Sequence, residues 1–355
     1  MRIGLYGLPT SGKTFVLNAV RNLEALSGST LLRKINPDFS SLTETKKQEV
    51  RERLAFSLMK KDQFIMDGHY SFGEKVVFTE ADGQLYDMIL YLYTEPKILK
   101  ERMRNSIRNQ KYLKHDIQNW QFSEIENLRE YCQKHDKDFY VLDNPEKGFF
   151  PDISIVLEFI DSIVCGFSCV RFAKECTKNI LSSLEEKEIV LTDGDKTLLI
   201  EDSCGMLGYS THLFDGNFYT GFQSWRHARE LTDYLRGAVY SGQSITERNL
   251  HLNRKVLDQI KAPGVILSSG HCGIWERIAR QVDMPYYGGN QMAADTKYFI
   301  VKMLQKAGIH VTAYGDGMND YYMLKQADKA FLVLKQNGTV SSSLKGRNVE
   351  GITFV

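Results

Sequence analysis

A glycine-rich loop near the N-terminus constrains the fold of this chain more than any other feature. The loop, Gly7–Thr14, reads Gly-Leu-Pro-Thr-Ser-Gly-Lys-Thr and follows the apolar, strand-like segment Arg2–Tyr6. Apolar residues at helical spacing predict a helix over Phe15–Leu26 directly after it. A loop of this kind between a strand and a helix is typical of a parallel α/β sheet, and its backbone N–H groups wrap a phosphate.

The loop predicts a site for ATP with Mg²⁺. We expect Lys13 to bridge the β- and γ-phosphates and the Thr14 hydroxyl to be a Mg²⁺ ligand. Gly7 and Gly12 permit the tight backbone path, and the following helix adds the positive end of its dipole. The predicted nucleotide-binding residues of the loop are Gly7, Ser11, Gly12, Lys13 and Thr14.

Two further carboxylates are candidates for the same site. Asp67 ends a predicted strand over Gln63–Met66 and is the expected second acidic group near Mg²⁺, with a strand-end turn residue as the alternative. Asp38 follows a strand predicted over Ser29–Ile35. It is a candidate catalytic base for the acceptor hydroxyl, and a helix N-cap is the alternative.

The helix predicted after Pro96 is basic and contains Arg102, Arg104 and Arg108. Guanidinium groups match phosphate oxygens, so these arginines are candidate phosphate clamps, with a solvated helical face as the alternative for at least one. Taken together, residues 1–160 resemble the adenylate-kinase-like P-loop kinases. That group includes small-metabolite kinases and polynucleotide 5′-kinases.

The alternation of strands and helices begins again in the second half, and suggestive polar groups follow its strands. The predicted strand over 188–192 ends on Asp193, and the one over 265–267 ends on Ser268-Ser269. A third predicted strand, over 310–314, ends on Gly315-Asp316. The sequence therefore predicts an α/β protein of two three-layer domains with parallel sheets. We place the kinase-type domain at 1–165 and the second at 166–355, with a mostly helical cap inserted at about 198–261.

Asp193 and Asp195 are spaced two apart at a strand end. One carboxylate can attack phosphorus while the other serves the leaving group as acid and base. Mg²⁺ is then needed between the anions, and we expect Asp193, Asp195, Asp316 and Asp320 to hold it. The phosphoryl oxygens would be held by Ser269 (or Ser268) and Lys297, although Lys302 and Lys306 lie on the same predicted helix.

This order of motifs resembles the haloacid-dehalogenase superfamily, and residues 313–327 resemble its phosphoserine-phosphatase-like branch. The resemblance implies a Rossmann-like fold in which Asp193 is the nucleophile and Asp195 the acid and base. Family members often have glycine where this chain has Lys196. The cap position implies closure over small substrates, with Trp225, Arg226 and Arg229 as candidate specificity residues or, for the tryptophan, core packing.

Composition excludes some classes of protein. The net charge of +1 argues against a protein that grips long duplex nucleic acid, while a short strand or an end stays open. The apolar stretch 153–170 contains Glu158 and Asp161 and predicts a packed helix rather than a membrane span. Six cysteines without a Cys-x-x-Cys pair or a secretory signal predict reduced thiols in a cytoplasmic protein.

These features predict a bifunctional ATP-dependent kinase and Mg²⁺-dependent phosphatase. The favoured substrate is a small phosphorylated metabolite such as a nucleotide, sugar or amino-acid derivative. Repair of nucleic-acid ends by 5′-phosphorylation and 3′-dephosphorylation is one alternative, because phage polynucleotide kinase–phosphatases have the same domain order. A P-loop module that senses nucleotide and regulates the phosphatase is the other.

Overall fold

The computed structural model describes residues 1–240 and 250–355, which separate into two compact units, Met1–Phe167 and Ser168–Val355. Each unit contains its own parallel sheet with helices around it. The α/β class predicted from the alternating pattern is therefore confirmed. Within the described residues, no helix is long and apolar enough to cross a membrane. Each cysteine is a free thiol.

The first unit contains a five-stranded parallel sheet in the order β2-β3-β1-β6-β7 and a small antiparallel hairpin, β4-β5. Its strands are β1 (Arg2–Tyr6), β2 (Glu24–Ser27), β3 (Phe64–Asp67), β4 (Ser71–Phe72), β5 (Lys75–Val76), β6 (Met88–Leu92) and β7 (Asp138–Leu142). Its helices are α1 (Lys13–Ala19), α2 (Gly28–Ile35), α3 (Glu44–Leu58), α4 (Glu80–Leu85), α5 (Pro96–Arg104), α6 (Ile117–Lys134) and α7 (Ser154–Val164).

Strand β6 lies inside this sheet and strand β7 at its edge, and helix α6 packs against both. Every residue of β6 and β7 is buried. The register of β1 against β3 pairs Leu5 with Asp67, so the glycine-rich loop and Asp67 leave the sheet at the same carboxyl edge. That edge is where parallel sheets place their sites.

The second unit contains a six-stranded parallel sheet in the order β10-β9-β8-β11-β12-β13. Its strands are β8 (Glu188–Thr192), β9 (Gly264–Ser268), β10 (Tyr286–Gly288), β11 (His310–Gly315), β12 (Lys329–Leu332) and β13 (Thr353–Phe354). Its helices are α8 (Cys169–Ser183), α9 (Ser203–Met206), α10 (Gly221–Tyr240), α11 (Arg254–Leu257), α12 (Cys272–Val282), α13 (Ala294–Lys306) and α14 (Tyr321–Gln326).

In this sheet β8 lies between β9 and β11, so the groups that follow the three strands converge. Thr192 pairs with Ile266 on one side and with Tyr314 on the other. The Asp193 amide continues the pairing by donating to the Tyr314 carbonyl at 2.9 Å. Of the predicted cap, α9, α10 and α11 are described, whereas the part at 241–249 lies outside the described residues.

One stretch of the first unit differs from the sequence prediction. Helix α1 ends at Ala19, and Val20 is already extended, so the helix predicted to Leu26 is too long. The predicted strand over Ser29–Ile35 is wrong, because these residues form α2 while Glu24–Ser27 is the strand. This strand is at the edge of the sheet and its residues are not buried, so it lacks the apolar run that identifies a central strand.

Candidate active sites

The glycine-rich loop has the backbone geometry of a phosphate cradle. Gly7 and Gly12 have φ of 146° and 108°, a region that L-residues with a side chain rarely adopt. A Cβ at Gly7 would lie 2.7 Å from the Leu92 carbonyl oxygen, so only glycine fits against β6 there. The two glycines therefore allow the loop to turn tightly between β1 and α1.

Lys13 lies inside the loop. Its ammonium donates to the carbonyl of Gly7 at 2.5 Å and to that of Leu8 at 3.1 Å. Burial lowers the pKa of Lys13 to about 8, although the carboxylates of Asp67 and Glu124 act in the opposite direction. A phosphate would give this buried cation the anionic partner that its surroundings supply only in part.

Two hydroxyl groups of the loop are available to bind a ligand. The Thr10 and Ser11 side-chain oxygens are buried and have no hydrogen-bond partner among the described residues. Buried polar atoms in native proteins are normally paired, so these orphaned oxygens support a polar ligand in the loop. Thr14 is exposed at the start of α1, as a hydroxyl that binds Mg²⁺ of a nucleotide must be.

Asp67 lies beside the loop, whereas Asp38 is placed differently from the expectation. The Asp67 carboxylate accepts from the Gly28 amide at 2.8 Å, and its charge acts on Lys13. Asp38 follows helix α2 instead of a strand and is exposed. It is the N-cap residue of a short 3-10 helix, Phe39–Ser41, although its side chain makes no capping hydrogen bond there.

The three arginines do not share one environment. Arg102 donates to the Thr10 carbonyl at 3.2 Å and stacks its guanidinium 5.3 Å from the centre of the Phe149 ring. Arg104 and Arg108 are exposed. Arg102 is therefore the arginine that the structure brings to the phosphate loop, while clamping roles for the other two stay predictions.

His69 is a residue of this site that the sequence reasoning missed. Burial and the charges of Lys13 and Arg108 hold its pKa well below the usual value, so the ring is neutral. Its Nδ1 is buried without a partner among the described residues, and the ring packs 4.7 Å from that of Phe72. The Asp-Gly-His sequence after β3 was the available signal, since it starts at the carboxyl edge of the sheet.

The second unit contains a cluster of three carboxylates. Ligand oxygens of Asp193, Asp316 and Asp320 all lie within 4.8 Å of one another. Asp193 follows β8, whereas the other two follow β11, and Asp320 also accepts from the Asp316 amide at 3.1 Å. The predicted convergence of these strand-end residues is thus seen in the structure.

Lys297 is the cation of this cluster. Its side chain is fully buried, and its ammonium donates to Asp320 at 2.7 Å and also to Asp193. Burial opposes the charge of Lys297, but the two carboxylates outweigh it and raise its pKa above the usual value. The alternatives Lys302 and Lys306 lie further along α13, and Lys302 stands over the rings of Tyr298 and Phe299.

The carboxylates of the cluster are crowded. Burial and the neighbouring Asp320 raise the pKa of Asp193 to about 6. Burial, Asp320 and Asp193 hold the pKa of Asp316 well above its usual range. Lys297 offsets only part of this effect, so a further cation would stabilise the ionised forms of Asp193 and Asp316.

Mg²⁺ prefers oxygen ligands such as carboxylates. The carboxylates of Asp193, Asp316 and Asp320 are close enough together to bind one such ion. Asp195 is not part of the carboxylate cluster. One of its oxygens accepts from the Ser203 amide at 3.0 Å and from the Trp275 indole at 3.2 Å, and the other accepts from the Ser203 hydroxyl at 2.9 Å. A metal role for the Asp195 carboxylate stays a prediction.

Burial raises the pKa of Asp195 to about 7, with the charges of Asp202 and Asp193 adding to the effect. A carboxyl group with this pKa exchanges a proton near neutral pH, as a general acid and base must. Ser203 and Trp275 were missed by sequence reasoning, because neither follows a predicted strand.

The two serines after β9 differ in their surroundings. The Ser268 hydroxyl is buried and accepts from the Gly270 amide at 3.1 Å. The Ser269 hydroxyl is half-buried and accepts a hydrogen bond from the side-chain amide of Asn319 at 3.3 Å. Asn319 directly precedes Asp320 in the chain. Ser269 therefore contacts the residue that precedes Asp320, and its preference over Ser268 stays a prediction.

The three cap residues singled out earlier pack within α10. Trp225 is buried, and the Arg229 guanidinium lies 4.8 Å from the centre of its ring. Arg226 donates to Glu230 at 2.7 Å. These contacts favour a packing role for Trp225, and specificity roles for the two arginines stay predictions.

Residues 6–120 match the family model described as an AAA domain. No curated protein matches the sequence. The match to the family model includes the glycine-rich loop and extends over most of the first unit. In the second unit, Asp193, Lys297 and Asp320 meet at the ends of parallel strands.

Several solved structures are similar to parts of the chain. A haloacid-dehalogenase family hydrolase from Salmonella enterica serovar Typhi is 16% identical with a TM-score of 0.34, covering 52% of this chain and 76% of that one. A phosphoserine phosphatase with a phospho-aspartyl intermediate analogue is 13% identical with a TM-score of 0.31, covering 42% and 87%. Shikimate kinase from Acinetobacter baumannii, bound to shikimate, is 14% identical with a TM-score of 0.30, covering 52% and 95%.

Proposed function

We propose that the protein is a bifunctional enzyme, an ATP-dependent kinase joined to a Mg²⁺-dependent phosphomonoesterase. The observation that carries the proposal is the buried Lys297, which contacts both Asp193 and Asp320 at the edge of the second sheet. A fully buried ion cluster is expensive to maintain for stability alone, since burial of charge costs several kcal/mol per ion. Its position where parallel sheets bind ligands supports a catalytic purpose.

In the phosphatase reaction an Asp193 oxygen attacks the phosphorus, and the bond from phosphorus to the leaving oxygen breaks. Asp195 gives its proton to that oxygen, so the alcohol leaves neutral. Water then attacks the aspartyl phosphate, Asp195 takes back a proton, and inorganic phosphate and free Asp193 result. The pKa of about 7 for Asp195 supports both of its roles.

Other residues bind and neutralise the phosphoryl group. Lys297 and the Ser269 hydroxyl would hold its oxygens. Asp193, Asp316 and Asp320 would hold Mg²⁺, which supplies positive charge against the anionic nucleophile and phosphate.

In the kinase reaction the glycine-rich loop binds the phosphates of ATP. Lys13 and Arg102 would neutralise the transferring group, while Thr14 and Asp67 would hold Mg²⁺. The unpartnered buried hydroxyls of Thr10 and Ser11 support occupation of the loop by phosphate. Asp38 stays the proposed base for the acceptor hydroxyl.

The favoured substrate is a small phosphorylated metabolite such as a nucleotide, sugar or amino-acid derivative. Two features support this class over nucleic acid. The net charge of the chain is only +1. The insert between Asp195 and β9 contains helices α9 to α11, in the position of a cap.

Transfer of labelled γ-phosphate from ATP to a panel of nucleosides, sugars and 5′-OH oligonucleotides tests the kinase. Release of phosphate from the corresponding monoesters tests the phosphatase. We expect small acceptors to be phosphorylated in the presence of Mg²⁺. Transfer to oligonucleotides alone would favour end repair, and ATP binding without any transfer would favour the nucleotide-sensing module.

A further inference from the structure

Lys196 has a backbone conformation that suits glycine. It follows Asp195 directly, with φ of 60° and ψ of 5°, in the left-handed region. A residue with a side chain is held there only when its surroundings over-determine it, and such residues concentrate at functional sites. The turn alone would be satisfied by glycine, so the presence of lysine at this position suggests that its side chain has a function.

The Lys196 side chain is held at the surface by a partner that can release it. Its ammonium donates to Asp202 at 2.7 Å, and the two side chains are 54% and 40% exposed. The other Asp202 oxygen accepts from the amides of Cys204 and Gly205 at 3.1 and 3.0 Å. Asp202 keeps these two bonds if the lysine moves, and an exposed ion pair contributes little free energy.

The position of Lys196 relates it to the leaving group of the phosphatase reaction. Its partner Asp202 directly precedes Ser203, which donates to Asp195 through its amide at 3.0 Å and its hydroxyl at 2.9 Å. Asp195 protonates the leaving group in the proposed reaction, so the Lys196–Asp202 pair adjoins a residue that holds the proposed acid. Lys297 cannot serve there, because it is fully buried between Asp193 and Asp320.

We propose that Lys196 is a specificity residue that binds a second anionic group, a carboxylate or a phosphate, carried by the leaving group of the substrate. This inference rests on the proposed phosphatase function. It narrows the substrates to phosphomonoesters whose alcohol part has a negative charge of its own. In the unliganded protein, Asp202 occupies the place of that anion.

Two matched pairs of esters test the inference. O-phosphoserine and O-phosphoethanolamine differ by a carboxylate, and a nucleoside 3′,5′-bisphosphate and its 3′-monophosphate differ by a phosphate. We expect the wild-type enzyme to have a higher kcat/KM for the doubly anionic member of at least one pair, by about tenfold, as for a hydrogen bond to a charged group. The pair that shows the preference identifies the anion.

In the variants K196M and K196G, the ratio of the two kcat/KM values within that pair should fall close to one. K196R should keep the wild-type ratio. K196G is the folding control, because glycine relieves the left-handed strain and should raise Tm. An unchanged preference in K196M, or no preference in the wild type, would overturn the role of Lys196 alone. Hydrolysis of none of the four esters would overturn this inference, whereas the phosphatase assignment is overturned only if the wild type also releases no phosphate from p-nitrophenyl phosphate in the presence of Mg²⁺.

Discussion

The Trp275 indole nitrogen donates a 3.2 Å hydrogen bond to Asp195, the carboxylate two residues after Asp193. Ser203 donates to the same carboxylate through its amide and its hydroxyl. The three donors fix the orientation of Asp195 and keep it apart from the cluster of Asp193, Asp316 and Asp320. Of the two carboxylates after β8, Asp193 thus lies with the proposed Mg²⁺ ligands, and Asp195 lies with three hydrogen-bond donors as the proposed acid and base.

The first prediction concerns the acid role of Asp195. D195N should lower kcat/KM for an alkyl phosphate, which reports the step in which the leaving group departs, by about 10²- to 10⁴-fold, the usual contribution of a general acid. The loss should be much smaller for p-nitrophenyl phosphate, because that leaving group departs without a proton. Equal losses for both esters, measured at saturating Mg²⁺, would contradict the role.

The pH dependence follows from the same group. Asp195 must be protonated to donate, and its pKa is raised to about 7, so the rate for an alkyl phosphate should fall as pH rises above 7. The Ser203 hydroxyl favours the ionised form, so S203A should raise this pKa further and move the alkaline limb to higher pH. If Ser203 had only a structural role, S203A would lower the rate without changing the pH at which the rate falls.

The second prediction concerns Lys297. K297M leaves Asp193 and Asp320 without their shared cation and should destabilise the protein by about 3–5 kcal/mol, as expected when one partner of a buried ion cluster is removed. Urea unfolding without Mg²⁺ measures the change in the free energy of unfolding. K306M, at an exposed position of the same helix, is the control and should change it by less than about 0.5 kcal/mol. Similar values for both variants would exclude a structural ion cluster.

The third prediction concerns Mg²⁺ binding to the second unit. Asp316 is a crowded carboxylate, so D316N should raise Tm in the absence of Mg²⁺ by removing repulsion from Asp193 and Asp320. In the wild type, Mg²⁺ at 100 times its Kd should stabilise this unit by about 2.7 kcal/mol, and D316N should lose most of that gain. Thermal unfolding of the isotopically labelled protein, followed by NMR of residues in α13, restricts the readout to this unit. An equal gain in D316N would place the ion elsewhere.

The fourth prediction concerns the phosphate loop. K13M and R102A should each lower phosphoryl transfer from ATP by about 10²-fold or more, because each removes a cation from the transferring group. K97A removes an exposed cation from the same helix as Arg102 and should stay within about twofold of the wild type. Phosphatase activity of the three variants, assayed without ATP, reports whether the second unit is intact. Full kinase activity in K13M would refute the assignment of the loop.

The strand-end residues were predictable from the sequence because parallel sheets bring such positions together. Asp193, Asp316 and Lys297 are widely separated in the chain, yet each adjoins or opens an element that the apolar pattern identifies. The pattern failed at Glu24–Ser27, a short edge strand without buried residues. The assignment of Asp38 to a strand end failed with it.

The partners of the catalytic groups could not be predicted in the same way. Trp275 donates to Asp195, although the two residues are 80 positions apart in the sequence. The position of Trp275 in α12 predicts only that its side chain is buried. His69 is marked in the sequence only by its place after Asp67-Gly68 at the end of β3, and its lowered pKa follows from burial and from the charges of Lys13 and Arg108. Contacts of this kind depend on packing between elements, on which local spacing carries no information.

The central claim is that Asp193 forms a covalent bond to phosphorus. It is tested by quenching the phosphatase in acid during turnover of a phosphomonoester with Mg²⁺, followed by peptide mapping with mass spectrometry. We predict one phosphoryl group, located on Asp193 and absent from the same peptide of D193N. A phosphoryl group on another residue, or wild-type turnover by D193N, would contradict the account.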